Sequence, residues 1–256
     1  MRRDRIEILN TQIDVLDVKQ TVEVVKQYLK EKKPLHLMGV NADKINMLNR
    51  NKKLKRIVND CEIINADGAS VILASRYLGT PLPERVAGID LMQLIVAVAE
   101  QEGYKVFLLG ARQEIVDKTA RVLRDTHPSL QIVGIRNGYF QKEQWKEVAE
   151  SIRKSGADIV FVGITSPAKE YLVDYFLHKE KINCVFMGVG GSFDVLSGMI
   201  KRAPDWFQRH NLEWLFRWAQ EPRRLFKRYF VGNLTFIMAV WREKRRRKIE
   251  SSDGGR

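Results

Sequence analysis

Ile63 to Asp90 reads IINADGASVILASRYLGTPLPERVAGID. Ile63-Ile64 is a short apolar run of the kind that ends a buried strand. Asn65-Ala66-Asp67-Gly68 is a loop signal, and Val71, Ile72, Leu73 and Ala74 follow it in a helical pattern. Asp67 therefore falls where a strand gives way to a helix. In open α/β sheets, ligands bind along that carboxyl-end edge. Pro81 and Pro83 then break the chain, and Glu84-Arg85-Val86-Ala87-Gly88-Ile89-Asp90 leads into another helix. A carboxylate at a strand end with an arginine in a nearby loop, Asp67 and Arg85, forms a candidate catalytic pair. The residues alone leave a plainer reading open. Asp67 satisfies free N–H groups as a helix N-cap, and Arg85 is solvated or paired locally.

The same strand–loop–helix unit recurs on both sides. The spacing predicts a small hairpin over residues 6–18, turning at Asn10-Thr11. Buried strands are expected at residues 35–40, 61–64, 106–110, 132–135, 159–163 and 184–189. Helical spacing precedes and separates them, at residues 22–29, 44–58, 91–100, 115–123, 145–152 and 170–177. Continuous apolar strands alternating with amphipathic helices specify the α/β class. The sheet is mainly parallel, Rossmann-like, with helices on both faces.

Several strands end in glycine: Gly110, Gly134, Gly163 and Gly188, the last opening Gly188-Val189-Gly190-Gly191-Ser192. Glycine lets a phosphate approach the backbone, and a following helix offers free N–H groups. Tight strand–helix turns use glycine equally, and the full dinucleotide fingerprint is absent. That absence argues against a nucleotide-dependent oxidoreductase on the same sheet. The sequence holds no zincin motif, C-x-x-C pair or nucleophile elbow, and its four histidines are scattered. No metal and no cofactor is expected.

The chain has 256 residues and a net charge of +13. Residues 201–256 hold 15 Lys and Arg against 6 Asp and Glu, so +9 of that charge sits in the tail. Trp206, Trp214, Trp218 and Trp241 lie there too. Residues 1–198 thus read as a nearly neutral α/β body, and residues 199–256 as a helical, basic, aromatic appendage. At 100° per residue, Leu225, Phe226, Tyr229 and Phe230 cluster on one side, nearly opposite Arg223, Arg224, Lys227 and Arg228. Arg245-Arg246-Arg247-Lys248 extends the charge. Such a helix either docks on its own body or lies in the headgroup layer of an anionic membrane. No nucleic-acid-binding signature accompanies the charge, so a nucleic-acid adaptor is the weaker reading. The longest apolar run is about thirteen residues, against roughly 20 needed to span a bilayer. No signal peptide is read in the first residues, and Cys61 and Cys184 sit in apolar runs as in a reducing compartment.

Taken in order, seven segments carry a resemblance. They are Val40-Asn41-Ala42-Asp43, Ile64 to Gly68, Glu84 to Asp90, Asn137-Gly138-Tyr139-Phe140, Gly190 to Asp194, Lys201-Arg202-Ala203-Pro204, and Glu213 to Arg217 with Glu221-Pro222-Arg223-Arg224. Together they resemble the WecG/TagA/CpsF glycosyltransferase family, its TagA branch in particular, over residues 35–225. The resemblance implies an inverting transfer of N-acetylmannosamine from UDP to undecaprenyl-diphosphate-linked N-acetylglucosamine, β-1,4, in the linkage unit of wall teichoic acid. Another UDP-sugar, such as UDP-N-acetylmannosaminuronate, is the alternative donor.

The resemblance also implies roles. Asp67 becomes the general base and Arg85 the donor-contacting arginine. Asn41 and Asn65 fall in pocket motifs, and Gly188, Gly190 and Gly191 help hold the nucleotide. Arg217 and Arg224 would meet a donor or acceptor phosphate. This chain has Gly39 where the family often has Thr, and Lys169 where it usually has Gln. Lysine meets a phosphate as a point charge. The expected location is cytoplasmic, peripheral to the inner face of the cell membrane, and a homo-oligomer is left open.

Overall fold

The computed structural model describes residues 3–210, 212–226 and 230–253, without the side chain of Arg224 or those of residues 251–253. The chain opens with an antiparallel hairpin, β1 (Arg5–Ile8) and β2 (Thr11–Asp14). Leu9 and Asn10 make the two-residue turn with φ of 50° and 60°, the left-handed pair that matches strand twist. Then come α1 (Val18–Lys30), β3 (Leu35–Val40), α2 (Ala42–Arg50), α3 (Lys52–Asn59), β4 (Ile63–Ala66) and α4 (Ala69–Leu78). The second half of the body holds α5 (Gly88–Glu102), β5 (Lys105–Gly110), α6 (Gln113–Thr126), β6 (Gln131–Arg136), α7 (Trp145–Ser155), β7 (Ile159–Gly163), α8 (Ala168–Asp174), β8 (Val185–Gly188) and α9 (Ser192–Leu196).

Strands β3 to β8 form one six-stranded sheet in the order β4-β3-β8-β7-β5-β6, and every described pairing in it is parallel. All its carboxyl ends therefore share one edge. Helices cover both faces, as a strand with no polar face requires. Leu35, Leu37, Leu108, Phe161 and Met187 pack with α1, α5 and α6 on one side. On the other side, Met38, Val40 and Ile64 pack with α2, α3 and α4, while Phe107, Val160, Val162 and Phe186 pack with α7 and α8. Burying each such side chain contributes about 1.5–3 kcal/mol.

Strand β4 begins two residues later than its apolar run. The cause is Arg5, whose Nη2 donates to the carbonyls of Cys61 and Glu62 at 2.7 and 2.9 Å. Those carbonyls bind the hairpin instead of a neighbouring strand. Asp14 Oδ2 then accepts from Ile64 N at 2.7 Å and holds the hairpin on the sheet edge.

Among the described residues, four helices follow α9: α10 (Asp205–Arg209), α11 (Glu213–Gln220), α12 (Pro222–Phe226) and α13 (Gly232–Asp253). Helix α13 packs on the body. Phe236 and Val240 enter the core cluster beside α2 and α4, and Asn46 Nδ2 donates to Gly232 O at 2.8 Å. Its other side exposes Leu234, Ile237, Met238 and Trp241. The amphipathic face read at residues 225–230 divides differently. Leu225 is buried, whereas Phe226 and Phe230 are exposed and stack at 5.0 Å. Tyr229, Lys227 and Arg228 lie outside the described residues. The basic run is partly internal: Arg246 and Arg247 both bond Glu243, and Arg245 lies 3.5 Å over the Trp241 ring. Among the described residues no helix is long and apolar enough to cross a membrane.

Candidate active site

Asp67 follows the last residue of β4, and its N–H donates to Val40 O of β3 at 2.9 Å. It does not cap the helix it introduces. Gly68 is the N-cap of α4, which has no side-chain cap. The Asp67 carboxylate instead reaches α5, where Oδ1 accepts from Gly88 N at 3.0 Å. Gly88 is the first residue of α5, so the carboxylate meets an otherwise unpaired N–H at the positive end of a helix. Oδ2 lies toward Gly39, 3.8 Å from where a Cβ would stand. A Cβ there would sit 3.1 Å from Asp67 Cβ, so the bare glycine leaves the carboxylate its room.

Arg85 stands in the loop between α4 and α5. Val86 N donates to Ala66 O at 2.9 Å, which pins this loop beside the end of β4. The Arg85 side chain forms an ion pair with Glu213 of α11, Nη2 to Oε2 at 2.6 Å. Asp90, in the first turn of α5, is paired with Arg202. Three segments distant in sequence, at Val40, Arg202 and Glu213, thus meet the Asp67–Asp90 segment.

Two neighbouring strand ends contribute Asn41 and the Gly188–Ser192 turn. Asn41 is the N-cap of α2, and its Oδ1 accepts from Lys44 N at 3.0 Å. Its Cβ lies 2.8 Å from where a Gly68 Cβ would stand, so the two loops are in contact. Gly190 has φ of 53° and open space around its Cα. Arg217 Nη2 comes within 3.4 Å of the Cβ position of Gly191. The α11 arginine therefore faces the one glycine turn that remains open. The other strand-end glycines are filled by protein. Gly163 holds the Phe193 ring, and Gly188 holds the aliphatic chain of Lys169. The Cβ positions of Gly163 and Gly188 are thus taken by side chains, whereas that of Gly190 is open.

Asn65 is the third residue of β4. It is buried, with Oδ1 3.4 Å from Thr21 Oγ1 and Nδ2 without a hydrogen-bond partner. Arg224 falls in α12, and its side chain is outside the described atoms.

Lys169 belongs to a buried polar cluster that sequence reading missed. Lys44 Nζ bonds Glu170 Oε1 at 2.6 Å, and Ser166 Oγ donates to the same oxygen at 2.7 Å. Lys169 Nζ donates to Ser166 Oγ at 2.9 Å and lies 3.4 Å from Glu170 Oε1. Burial would raise the Glu170 carboxyl, but Lys44 and then Lys169 overcome it and hold it below the usual carboxylate range. Burial pushes the Lys169 ammonium down to about 8, and the like charge of Lys44 adds to that. Nearby His36 is held neutral, its pKa pushed down by burial to about 3. Two ammoniums share one carboxylate here, so the cluster carries an unbalanced positive charge close to Gly188. Among the described residues no group of three or more His, Cys, Asp and Glu is placed to hold a metal ion.

A carboxylate, arginines and an open glycine turn on one parallel-sheet edge are the kinds of group that suit transfer from a phosphorylated donor. Residues 6–250 match the model of the glycosyl transferase WecG/TagA/CpsF family. The chain belongs to the WecG/TagA/CpsF glycosyltransferase family. The match spans the body and most of the tail, so the enzyme is a glycosyltransferase whose family region includes α10 to α12 and most of α13. It is also similar to the N-acetylglucosaminyldiphosphoundecaprenol N-acetyl-beta-D-mannosaminyltransferase of Bacillus spizizenii (strain ATCC 23059 / NRRL B-14472 / W23). That relative is 31% identical over 218 residues, covering 85% of this chain and 83% of the relative. The segments around Asn41, Asp67, Arg85 and Gly190 all lie within the matched residues and meet at the sheet edge described above.

Proposed function

We propose that the enzyme transfers N-acetylmannosamine from UDP-N-acetylmannosamine to undecaprenyl-diphosphate-linked N-acetylglucosamine, with inversion and a β-1,4 bond. The product is the linkage unit of a wall teichoic acid. The name of the Bacillus spizizenii relative supports the acceptor and the transferred sugar. The observation that carries the mechanism is the Asp67 carboxylate, fixed through Oδ1 by Gly88 N with Oδ2 toward the bare Gly39.

In this scheme Asp67 Oδ2 takes the proton of the attacking acceptor hydroxyl. The hydroxyl oxygen bonds the anomeric carbon from the face opposite the diphosphate. The anomeric C–O bond breaks, and its electron pair leaves on UDP. Arg85, Arg217 and the backbone N–H groups at Gly190 and Gly191 receive the developing negative charge. Asn41, fixed at the start of α2, orients the sugar.

Lys169 favours a second donor as an alternative within the same scheme. Its buried, incompletely balanced ammonium suits an anionic group. UDP-N-acetylmannosaminuronate has one on the sugar as well as on the diphosphate.

Residues 199–256 act, in our reading, as an appendage that brings the enzyme to its lipid acceptor on the inner face of the cell membrane. Support comes from the exposed row Leu234, Ile237, Met238 and Trp241, together with exposed Phe226 and Phe230. These buried at the headgroup boundary would leave the tail's Lys and Arg near anionic lipid, each contributing about 1 kcal/mol.

The test is transfer to a short-chain lipid-diphosphate-N-acetylglucosamine, offering UDP-N-acetylmannosamine, UDP-N-acetylmannosaminuronate and UDP-N-acetylglucosamine separately. Product formation from the first, with the new anomeric bond β by NMR, is the expected result. Product from the uronate alone would transfer the reading to the second donor, and a retained anomer would remove Asp67 as the base.

A further inference from the structure

Helix α11 holds two groups of the candidate site from one face. Glu213 and Arg217 are four residues apart, so both project on the same side of the helix. Glu213 grips Arg85 on the α4–α5 loop, and Arg217 lies over Gly191 in the β8–α9 turn. The helix therefore bridges the two sides of the sheet edge between which a donor diphosphate would lie.

The Arg85–Glu213 pair has the character of a restraint. Its side chains are 19% and 18% exposed, so it is shielded from water more than a surface pair is. At 2.6 Å it is a short, charge-assisted hydrogen bond. It joins residues 128 apart in sequence. Arg85 itself follows Pro81 and Pro83 in a loop with no secondary structure of its own, and a free arginine there would sample many rotamers. A guanidinium carries five N–H donors, so one bond through Nη2 fixes the plane without exhausting the group. Arg202 to Asp90 forms a second link from the tail to the same segment, and Gly88 between them is bonded to Asp67.

We infer that Glu213 is a positioning residue, which sets the Arg85 guanidinium in place for the diphosphate of the nucleotide-sugar donor. The inference rests on Arg85 being the donor's cation. It gives the tail a role inside the site that is separate from any contact with lipid. Loss of Glu213 leaves the Arg85 charge present but unaimed. The donor then binds and reacts less well, while the acceptor KM is unchanged.

The experiment is a double-variant cycle on the full chain, with a short soluble acceptor so that membrane binding has no part. Glu213→Ala, Arg85→Ala and the pair are compared by donor kcat/KM, and thermal melting reports on folding. Glu213→Gln, which keeps an oxygen to accept from Arg85, serves as the conservative variant and retains most activity. The expected result is a loss of about tenfold or more for Glu213→Ala, and no further loss when Glu213→Ala is added to Arg85→Ala. An equal loss from Glu213→Ala in both backgrounds would show that Glu213 acts independently of Arg85, and would overturn the inference. A silent Glu213→Ala beside a defective Arg85→Ala would overturn it too. A silent Arg85→Ala would remove the reading of Arg85 itself. If Glu213→Ala fails to fold, Glu213→Leu, which cannot accept from Arg85, replaces it, and donor kinetics equal to those of the native enzyme would count against the inference.

Discussion

Gly88 N donates to Asp67 Oδ1 at 3.0 Å, so the carboxylate at the end of β4 caps the helix 21 residues further on. The bond fixes one carboxylate oxygen and turns the other toward Gly39. Of the two readings that its sequence allows, the cap is present, although on α5 and not on α4, and the second oxygen lies on the Gly39 side.

Asp67→Asn separates these roles. Asparagine keeps an oxygen for Gly88 N, so folding and donor binding should persist. It is no base at neutral pH, and turnover should fall on the order of a hundredfold or more. Melting temperature, donor affinity and turnover are measured on the same preparation. Turnover near that of the native enzyme would reduce Asp67 to its capping role.

Lys169 makes a prediction in pH. Its folded pKa is pushed down to about 8 by burial and by Lys44. The ammonium is present below pH 8 and is lost as pH rises through it. If Lys169 meets an anionic group of the donor, kcat/KM for the donor should fall above about pH 8, and this limb should vanish in Lys169→Gln. The groups facing Lys169 are Lys44 on α2, Glu170 on α8, Ser166 before it and His36 on β3. Glu170 and His36 titrate well below this window, so neither produces the limb. Stability has the opposite sign. A lysine whose folded pKa is depressed below its unfolded value binds fewer protons when folded, so its contribution improves as pH rises from about 8 toward 10.5.

Gly163→Ala tests the packing of the strand-end glycines. The new Cβ would meet the Phe193 ring at 2.5 Å. Overpacking of this kind costs about 1–3 kcal/mol. Urea denaturation should show that loss, and unchanged stability would mean that the ring moves freely out of the way.

The last helix has two faces with different predicted behaviour. Phe236 is 1% exposed in the core, so Phe236→Ala should cost about 3–5 kcal/mol of stability. Ile237 and Trp241 point outward. Replacing both by Ser should leave stability nearly unchanged and reduce sedimentation with anionic vesicles. Equal sedimentation of native and doubly substituted protein would remove α13 as the membrane-facing surface.

Much of the architecture is written locally. The apolar runs at residues 35–40 and 159–163 coincide with β3 and β7, because a strand buried on both faces needs no alternation. Asp67 was legible at a strand end for the same reason. The departures all involve partners distant in the chain. The start of β4 is displaced by Arg5, the carboxylate of Asp67 is taken by Gly88, and Arg85 is taken by Glu213. Local spacing carries no trace of such pairings. The glycines divide likewise: only packing shows that Gly188 holds Lys169 while Gly190 stays open. Lys44 and Glu170 look like ordinary solvated helix residues until α2 and α8 are brought together over the sheet. Phe236 and Val240 could be read as apolar, but not as core, since their partners lie on α2 and α4.

The most direct test of the account is the initial rate of transfer from UDP-N-acetylmannosamine to a soluble lipid-diphosphate-N-acetylglucosamine, measured for the native enzyme and Asp67→Asn side by side. The account predicts a β-linked disaccharide from the native enzyme, and a rate lower by about a hundredfold or more in the variant, with donor affinity retained. Equal rates in the two proteins, or no transfer of N-acetylmannosamine by the native enzyme, would contradict it.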